Sequence, residues 1–359
     1  MKIKTVFRRF RPLKDKIVHC PRLLYKIFTL EKINTFIFFS LNQIFRNFAE
    51  TNPNSMMKNT GRIVVVGSAN TDLVISTCRF PQPGETIAGH GFMSNRGGKG
   101  ANQAVAAARL GAEVAFVGKL GRDVYGEQTL EALAREGIST EGVSTTAAAP
   151  SGIAVITVDA NGENTIIVDG GANNLLSAED IAAAEGLFSD AAIVLMQLET
   201  PVEALLAAAQ TAHRHGALVV LNPAPAPSGG LPEELLHAVD LLIPNQTEAA
   251  LLSGMGADDV ESACRAAEDL CRRGAGRVII TMGSQGALVD GRLVKSYPTT
   301  VVDTTAAGDT FCGALCARLA AGDDLATAAD YACRAAAFTV SRKGAQQAMP
   351  TQKDLVSRC

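Results

Sequence analysis

Val302-Asp303-Thr304-Thr305-Ala306-Ala307-Gly308-Asp309-Thr310-Phe311-Cys312-Gly313-Ala314 is a run of small residues that passes directly into an alanine-rich helix. The first turn of such a helix leaves backbone N–H groups without intrahelical acceptors, and these attract anions. A carboxylate at Asp309 competes with a bound anion unless it has work of its own, such as taking the proton from an attacking hydroxyl. Read alone, the segment favours a plain helix N-cap for Asp309. The rest of the chain reverses that preference.

Outward from this stretch, short apolar runs recur, each ending in a polar tip and followed by a helical pattern. Arg62-Ile63-Val64-Val65-Val66-Gly67 is the first, wholly apolar after its arginine, as expected of a strand buried on both faces. Residues 112–118 form the next, with a helix to follow over 121–137. The run at 192–197 delivers Glu199, that at 217–221 delivers Asn222, and that at 241–243 delivers Asn245 and Glu248. The run at 277–280 ends in Thr281-Met282-Gly283-Ser284-Gln285-Gly286, a turn able to wrap nucleotide phosphates.

This alternation predicts an α/β fold: a doubly wound, mostly parallel sheet with helices on both faces. Ligands of such sheets sit beyond the carboxyl ends of the strands. Residues 71–100 and 150–170 break the rhythm, the second with a hairpin about Asn161-Gly162. They predict a small β-sheet lid that keeps water from the crevice.

Two further motifs carry chemistry. Asn70 and Asp72 follow the first strand and could grip vicinal hydroxyls, although both residue types are also ordinary turn formers. Asn95-Arg96-Gly97-Gly98-Lys99-Gly100-Ala101-Asn102-Gln103-Ala104 opens a helix, and its three glycines predict a close approach of backbone to ligand, with Lys99 and Asn102 projecting over it. It is not a Walker A loop, and the chain has no Gly-x-Gly-x-x-Gly fingerprint.

The formal charge of −3 conceals an asymmetry: residues 1–60 hold twelve Lys or Arg against three acidic residues, so the body is acidic. That argues against nucleic acid as a partner. The first sixty residues also contain eight of the fourteen Phe, which sets them apart from the Phe-poor body. Their apolar run from Ile33 to Leu41 is shorter than the roughly 20 residues a membrane span needs.

Residues 1–57 are therefore set outside the fold, as an upstream artefact with translation starting at Met56 or Met57, a transit peptide or a disordered extension. Residues 58–359 then form the working domain. The eight cysteines include no Cys-x-x-Cys, and Cys312 and Cys316 have no further ligands nearby, which points to packing in a reducing compartment.

The segments Gly97-Gly98-Lys99-Gly100-Ala101-Asn102-Gln103-Ala104 and Asp303-Thr304-Thr305-Ala306-Ala307-Gly308-Asp309 occur in this order. Met196-Gln197-Leu198-Glu199, Asn222-Pro223-Ala224-Pro225-Ala226 and Arg342-Lys343-Gly344-Ala345-Gln346 accompany them. On these residues the chain resembles the PfkB carbohydrate kinase family over about residues 60–352, and within it the members that act on ribose.

The resemblance implies transfer of the ATP γ-phosphoryl to the 5-hydroxyl of D-ribose. Asp309 becomes the general base, and the N–H groups of Ala306, Ala307 and Gly308 form an anion hole. It assigns Asn70, Asp72, Gly98, Lys99, Asn102, Glu199 and Asp309 to the sugar. Asn245, Glu248, Thr281, Gly283, Ser284, Gly286, Gly308 and Cys333 fall to the nucleotide, with Glu248 near magnesium (Mg2+) and Cys333 where relatives carry His or Asn against adenine.

It further implies an activating potassium ion (K+) at Asp303, Thr305, Thr339, Arg342, Gly344 and Ala348, the last standing where a serine is often found. The remaining expectations are a homodimer joined through the lid, no membrane partner and a cytoplasmic location, with organelle import if residues 1–57 are retained. The rivals are a family member acting on deoxyribose or fructose, and a non-catalytic sugar or nucleotide sensor. Retention of Lys99, Gly308 and Asp309 speaks against the sensor.

Overall fold

Ile63, Val64, Val65 and Val66 are all fully buried, and they alternate between two cores: Ile63 and Val65 enter one, Val64 and Val66 the other. A strand does this only where both faces of its sheet are covered. In the computed structural model, which describes residues 61–356, these residues form β1 (Arg62–Val66) within the larger of two sheets.

The chain continues through β2 (Asn70–Thr77), β3 (Gly89–Gly97), α1 (Lys99–Arg109), β4 (Val114–Gly121), α2 (Val124–Arg135), β5 (Ser139–Thr146), β6 (Gly152–Val158), β7 (Asn164–Asp169) and α3 (Ala178–Ala183). Next come β8 (Ala191–Met196), α4 (Val202–His215), β9 (Leu218–Leu221), α5 (Glu233–His237), β10 (Leu241–Leu242), α6 (Gln246–Ser253) and α7 (Val260–Arg272). Last are β11 (Arg277–Thr281), β12 (Gly286–Val289), β13 (Arg292–Lys295), α8 (Ala307–Ala320), α9 (Leu325–Val340) and α10 (Gln352–Val356).

Among the described residues the large sheet has nine strands in the order β13-β12-β11-β10-β9-β8-β1-β4-β5. Its neighbours are parallel from β5 to β11, and β12 and β13 close the far edge as antiparallel strands. The chain leaves β1 for β4 and β5 on one side, then returns to β8 on the other. The crevice beyond the carboxyl ends of β1 and β8 is thus the switch point at which such sheets take their ligands.

One face of the sheet is covered by α1, α2, α8 and α9, and the other by α4, α6 and α7 with the short α3 and α5. The packing of α1 on α8 positions the site. Ala104, Ala106, Ala107 and Ala314 are completely buried, and a Cβ on Gly313 would lie 2.6 Å from the Gln103 carbonyl oxygen. Small side chains let the two helices approach this closely, and the approach carries the start of α1 to the start of α8.

The second sheet has the order β3-β2-β6-β7, with β2 antiparallel to β3 and parallel to β6, and β6–β7 a hairpin about Asn161 and Gly162. This is the expected lid. Its strand β2 begins at Asn70, so Asn70 and Asp72 lie in a paired strand and the turn reading of these residues gives way. Strand β5 was not anticipated, because Ser139–Thr146 is polar and forms the edge of the large sheet. The expectation that residues 1–57 stand apart from the fold falls outside the described residues.

Candidate active site

Asp309 is not the N-cap of α8. That place belongs to Ala306, which makes no side-chain capping bond and adopts the left-handed conformation at φ 58°. Such a backbone costs a non-glycine residue on the order of 1 kcal/mol. It turns the chain sharply into the helix, so that Asp309 falls in the first helical turn with its carboxylate facing inward.

There Asn102 donates from Nδ2 to Asp309 Oδ2 at 2.9 Å, and Gln103 donates from Nε2 to Oδ1 at 3.0 Å. Burial drives the Asp309 carboxyl up, and it is opposed by the Lys99 charge and by the two amide hydrogen bonds. The N–H groups of Gly308 and Asp309, in the first turn, have no helical acceptors. That of Ala307 leans toward the Thr304 carbonyl at 3.3 Å. A Cβ on Gly308 would meet nothing within 4 Å, so this residue faces open space.

That space is a cleft of about 220 Å³ lined by Lys99, Asn222, Asn245, Glu248, Thr281, Thr304 and residues 306–309, among others. Burial works against the Lys99 ammonium, but Asp309, Glu199 and Glu248 outweigh it and its pKa rises. Lys99 is therefore a fixed positive charge at the cleft, as an anionic ligand requires.

The glycine cluster makes its close approach to the protein itself. A Cβ on Gly98, whose φ is +87°, would come within 2.7 Å of Ala69 Cα and the Asn70 nitrogen. One on Gly100 would sit 2.7 Å from the Ser68 nitrogen. The glycines seat the start of α1 against the tip of β1, and Lys99 and Asn102 reach the site from that seat.

Glu199, at the tip of β8, fastens the same junction by accepting from Ser68 Oγ at 2.6 Å and from the Lys99 N–H at 3.0 Å. Asp72 occupies the space that a Cβ on Gly97 would fill. Burial, with Glu199 and Asp309 nearby, pushes its carboxyl up to about 6. Asn70 is buried and accepts from Asn173 Nδ2 at 2.8 Å.

Of the residues expected at the nucleotide, Asn245 and Glu248 form a capping box at the start of α6, each side chain accepting from the other's N–H at 2.8 Å. Burial raises the Glu248 pKa, against the Asn245 N–H and Lys99. Thr281 shares the cleft, joined to Asn245 by a parallel bridge. Gly283 and Ser284 lie on an exposed turn after β11, while Gly286 packs against the backbone of β13. Cys333 is not brought into the cleft. It is buried on α9, its thiol toward the Val294 carbonyl at 3.9 Å and pushed up to about 12 by burial.

Of the six residues expected at a potassium ion, Asp303, Thr305 and Gly344 come together: Asp303 accepts from the N–H groups of Thr305 and Gly344, each at 2.9 Å. The Thr339 hydroxyl points elsewhere, to Thr310 Oγ1 at 3.0 Å and the Ala335 carbonyl at 3.2 Å. Arg342 lies over the Phe338 ring at 4.0 Å, and Ala348 is buried without a side-chain oxygen to offer.

Four residues of this arrangement had no assigned role in the sequence reading: Gln103, Asn173, Asn222 and Gln346. Asn173 binds both Ala69 and Asn70, and Gln346 donates to Asn102 Oδ1 at 3.1 Å. The available signal was an amide inside an otherwise small or apolar pattern, as at Gln103 among alanines, since a buried amide is retained where it is hydrogen-bonded.

An anion-receptive helix start beside a buried carboxylate, at the switch point of a doubly wound sheet with a β lid, defines a phosphoryl-transfer enzyme of the sugar-kinase class. The pfkB family carbohydrate kinase profile matches residues 60–352, and the chain belongs to that family. It is 42% identical over 296 residues to the ribokinase of Haemophilus influenzae, covering 81% of this chain and 96% of that protein. Identity to the deoxyribokinase of Salmonella typhi is 37% over 293 residues, covering 80% and 95%. The structure of Arabidopsis thaliana ribokinase complexed with ribose and ATP matches with a TM-score of 0.76 at 34% identity, covering 83% of this chain and 98% of that one.

Proposed function

We propose that the chain transfers the γ-phosphoryl group of ATP to the 5-hydroxyl of D-ribose. The observation that carries this reading is the buried Asp309 carboxylate, held by Asn102 and Gln103 beside the open first turn of α8 and the Lys99 charge. In this reading Asp309 takes the hydroxyl proton as the sugar oxygen bonds to phosphorus and the bond to the departing ADP oxygen breaks. The N–H groups at residues 306–308 receive the charge on the transferring group.

Asn70, Asp72, Gly98, Lys99, Asn102 and Glu199 hold the sugar under the lid. Asn245, Glu248, Thr281 and the turn containing Gly283, Ser284 and Gly286 hold the nucleotide. The choice of ribose rests on the ribokinase relatives. The deoxyribokinase relative keeps 2-deoxyribose as the second substrate to test, since one hydroxyl changes binding by only a few kcal/mol.

Among the described residues no group of three or more His, Cys, Asp or Glu is placed to hold a metal ion. Glu248 and Asp309 are the two carboxylates lining the cleft, too few for an all-protein cage, which fits magnesium carried mainly by phosphate oxygens and water. Such an ion neutralises phosphate charge. For potassium, the Asp303 carboxylate, which takes one N–H from Thr305 and one from Gly344, and the Thr305 carbonyl are hard oxygen donors of suitable kind.

The exposed apolar residues of the lid, among them Phe92, Ile166, Ile167 and Val168, support a homodimer through that sheet. A cytoplasmic setting, and a fold that starts after residue 57, complete the proposal. A coupled assay with ATP and ribose, 2-deoxyribose or fructose, with and without potassium, tests it. Preference in kcat/KM for either of the other sugars removes ribose as the substrate.

A further inference from the structure

Gln103 is completely buried, on the first turns of α1, between the tips of the central strands and α8. Its Nε2 donates to Asp309 Oδ1 and also to Asn222 Oδ1, each at 3.0 Å. Its Oε1 accepts from Gln197 Nε2 at 2.7 Å.

The direction of this amide is forced from its neighbours. Asn222 donates from Nδ2 to the Ile243 carbonyl at 2.8 Å, and a carbonyl can only accept, so Asn222 must turn its oxygen toward Gln103. An ionised carboxylate also only accepts. Both N–H groups of Gln103 are therefore drawn toward acceptors, which leaves its oxygen to be satisfied by Gln197. The Gln197 oxygen is then buried beside Gly67 with no hydrogen-bond partner. Burying an unpaired acceptor is unfavourable, and the arrangement is intelligible if the direction of Gln103 is what it maintains.

We propose that Gln103 is a positioning residue for Asp309: held in one orientation by Asn222 and Gln197, its amide fixes the carboxylate and favours its ionised form. The proposal rests on the reading of Asp309 as general base. Burial raises the Asp309 pKa, and the hydrogen bond from Gln103 works against that rise. The other charged or titratable groups facing this carboxylate are Lys99 on α1, Glu199 after β8, Asp72 on β2, Glu248 on α6 and Cys312 on α8. Of these, Lys99 alone is cationic, and after it the two amides of Asn102 and Gln103 are the groups that favour the charged carboxylate.

The test is the pH profile of kcat, at saturating ATP and ribose, for the wild type, Gln103→Met, Gln103→Asn and Asp309→Asn. Equilibrium ribose binding is measured alongside. A base must be deprotonated to act, so kcat rises with pH through its pKa, and losing a donor to its charged form moves that limb upward. For Gln103→Met the limb is expected to rise by about one pH unit or more, with kcat reduced by up to about tenfold on the acid side of the limb and little changed on its plateau, and ribose affinity within about threefold.

Gln103→Asn keeps an amide but withdraws it by one methylene, and is expected to fall between the wild type and Gln103→Met. If the Met variant does not fold, the Asn variant decides by the same limb. An acid limb that stays in place, or a loss equal at all pH values, overturns the positioning role while an inactive Asp309→Asn leaves the base reading standing. Near-normal turnover by Asp309→Asn overturns both.

Discussion

Asn102 Nδ2 lies 2.9 Å from Asp309 Oδ2, across 207 residues of chain. With Gln103 on the other oxygen, Asp309 meets N–H donors on both sides. An asparagine in its place must set its own NH2 against one of them. Asp309→Asn is therefore expected to lose kcat by about 10²- to 10⁴-fold as a missing base, and to lose about 1–3 kcal/mol of stability from the mispaired donor. Ribose binding should largely survive. Stopped-assay kinetics and thermal unfolding of the same preparation check the two effects, and a variant with near-normal turnover would refute the base.

Two glycines of the site should respond in opposite ways. At Gly98 a methyl group meets backbone at 2.7 Å and the φ of +87° is itself unfavourable for alanine, so Gly98→Ala is expected to destabilise by about 3 kcal/mol. Gly308→Ala adds a methyl to open space, so the fold should hold while KM for ATP rises. Melting temperatures and nucleotide KM values for the pair settle it. Equal losses of stability would contradict this account.

Asp72 carries a pH signature of its own. With its carboxyl pushed up to about 6, protonation below that pH exchanges an acceptor of sugar hydroxyls for a donor. The expected result is a fall in kcat/KM for ribose as pH drops through about 6, because this ratio reports groups of the free enzyme. Asp72→Asn should lower kcat/KM but flatten that limb. An unchanged limb in the variant assigns it to another group.

The lid offers a test of assembly. Ile167 is 73% exposed and Phe92 65%, on a sheet that contributes Asn70 and Asp72 to the site. Replacing Ile167 with Lys should leave folding intact, since the position is open to solvent, and shift a dimer to monomer in sedimentation analysis. A wild-type chain that sediments as a monomer at micromolar concentration removes the dimer.

The strands β1 and β8 could be read directly, because an unbroken apolar run has one comfortable place in an α/β protein, between two layers of helix. The start of α8 was legible as an anion site for a similar reason: small residues before a helix leave N–H groups open. The capping role of Asp309 was misjudged when read alone, since nothing in Ala306 announces its left-handed turn. The glycines were read as space for a ligand, yet they admit β1. Gln103 and Asn222 were opaque because an amide does not declare which of its two ends will be used, and the partners that decide it lie on other strands. Edge strand β5 has a neighbouring strand on one side only and is mostly half-buried, so its composition resembles a loop.

The link from Gln346 to Asn102 has a wider consequence. One residue of the 344–349 loop touches the Asp303 carboxylate through a peptide N–H, and another steers the amide that steadies the proton acceptor. The 344–349 loop thereby works as a latch on the start of α1 and, through Asn102, on Asp309. A proteolytic nick there is expected to slacken the Asp309 carboxylate from a distance, through Asn102 alone.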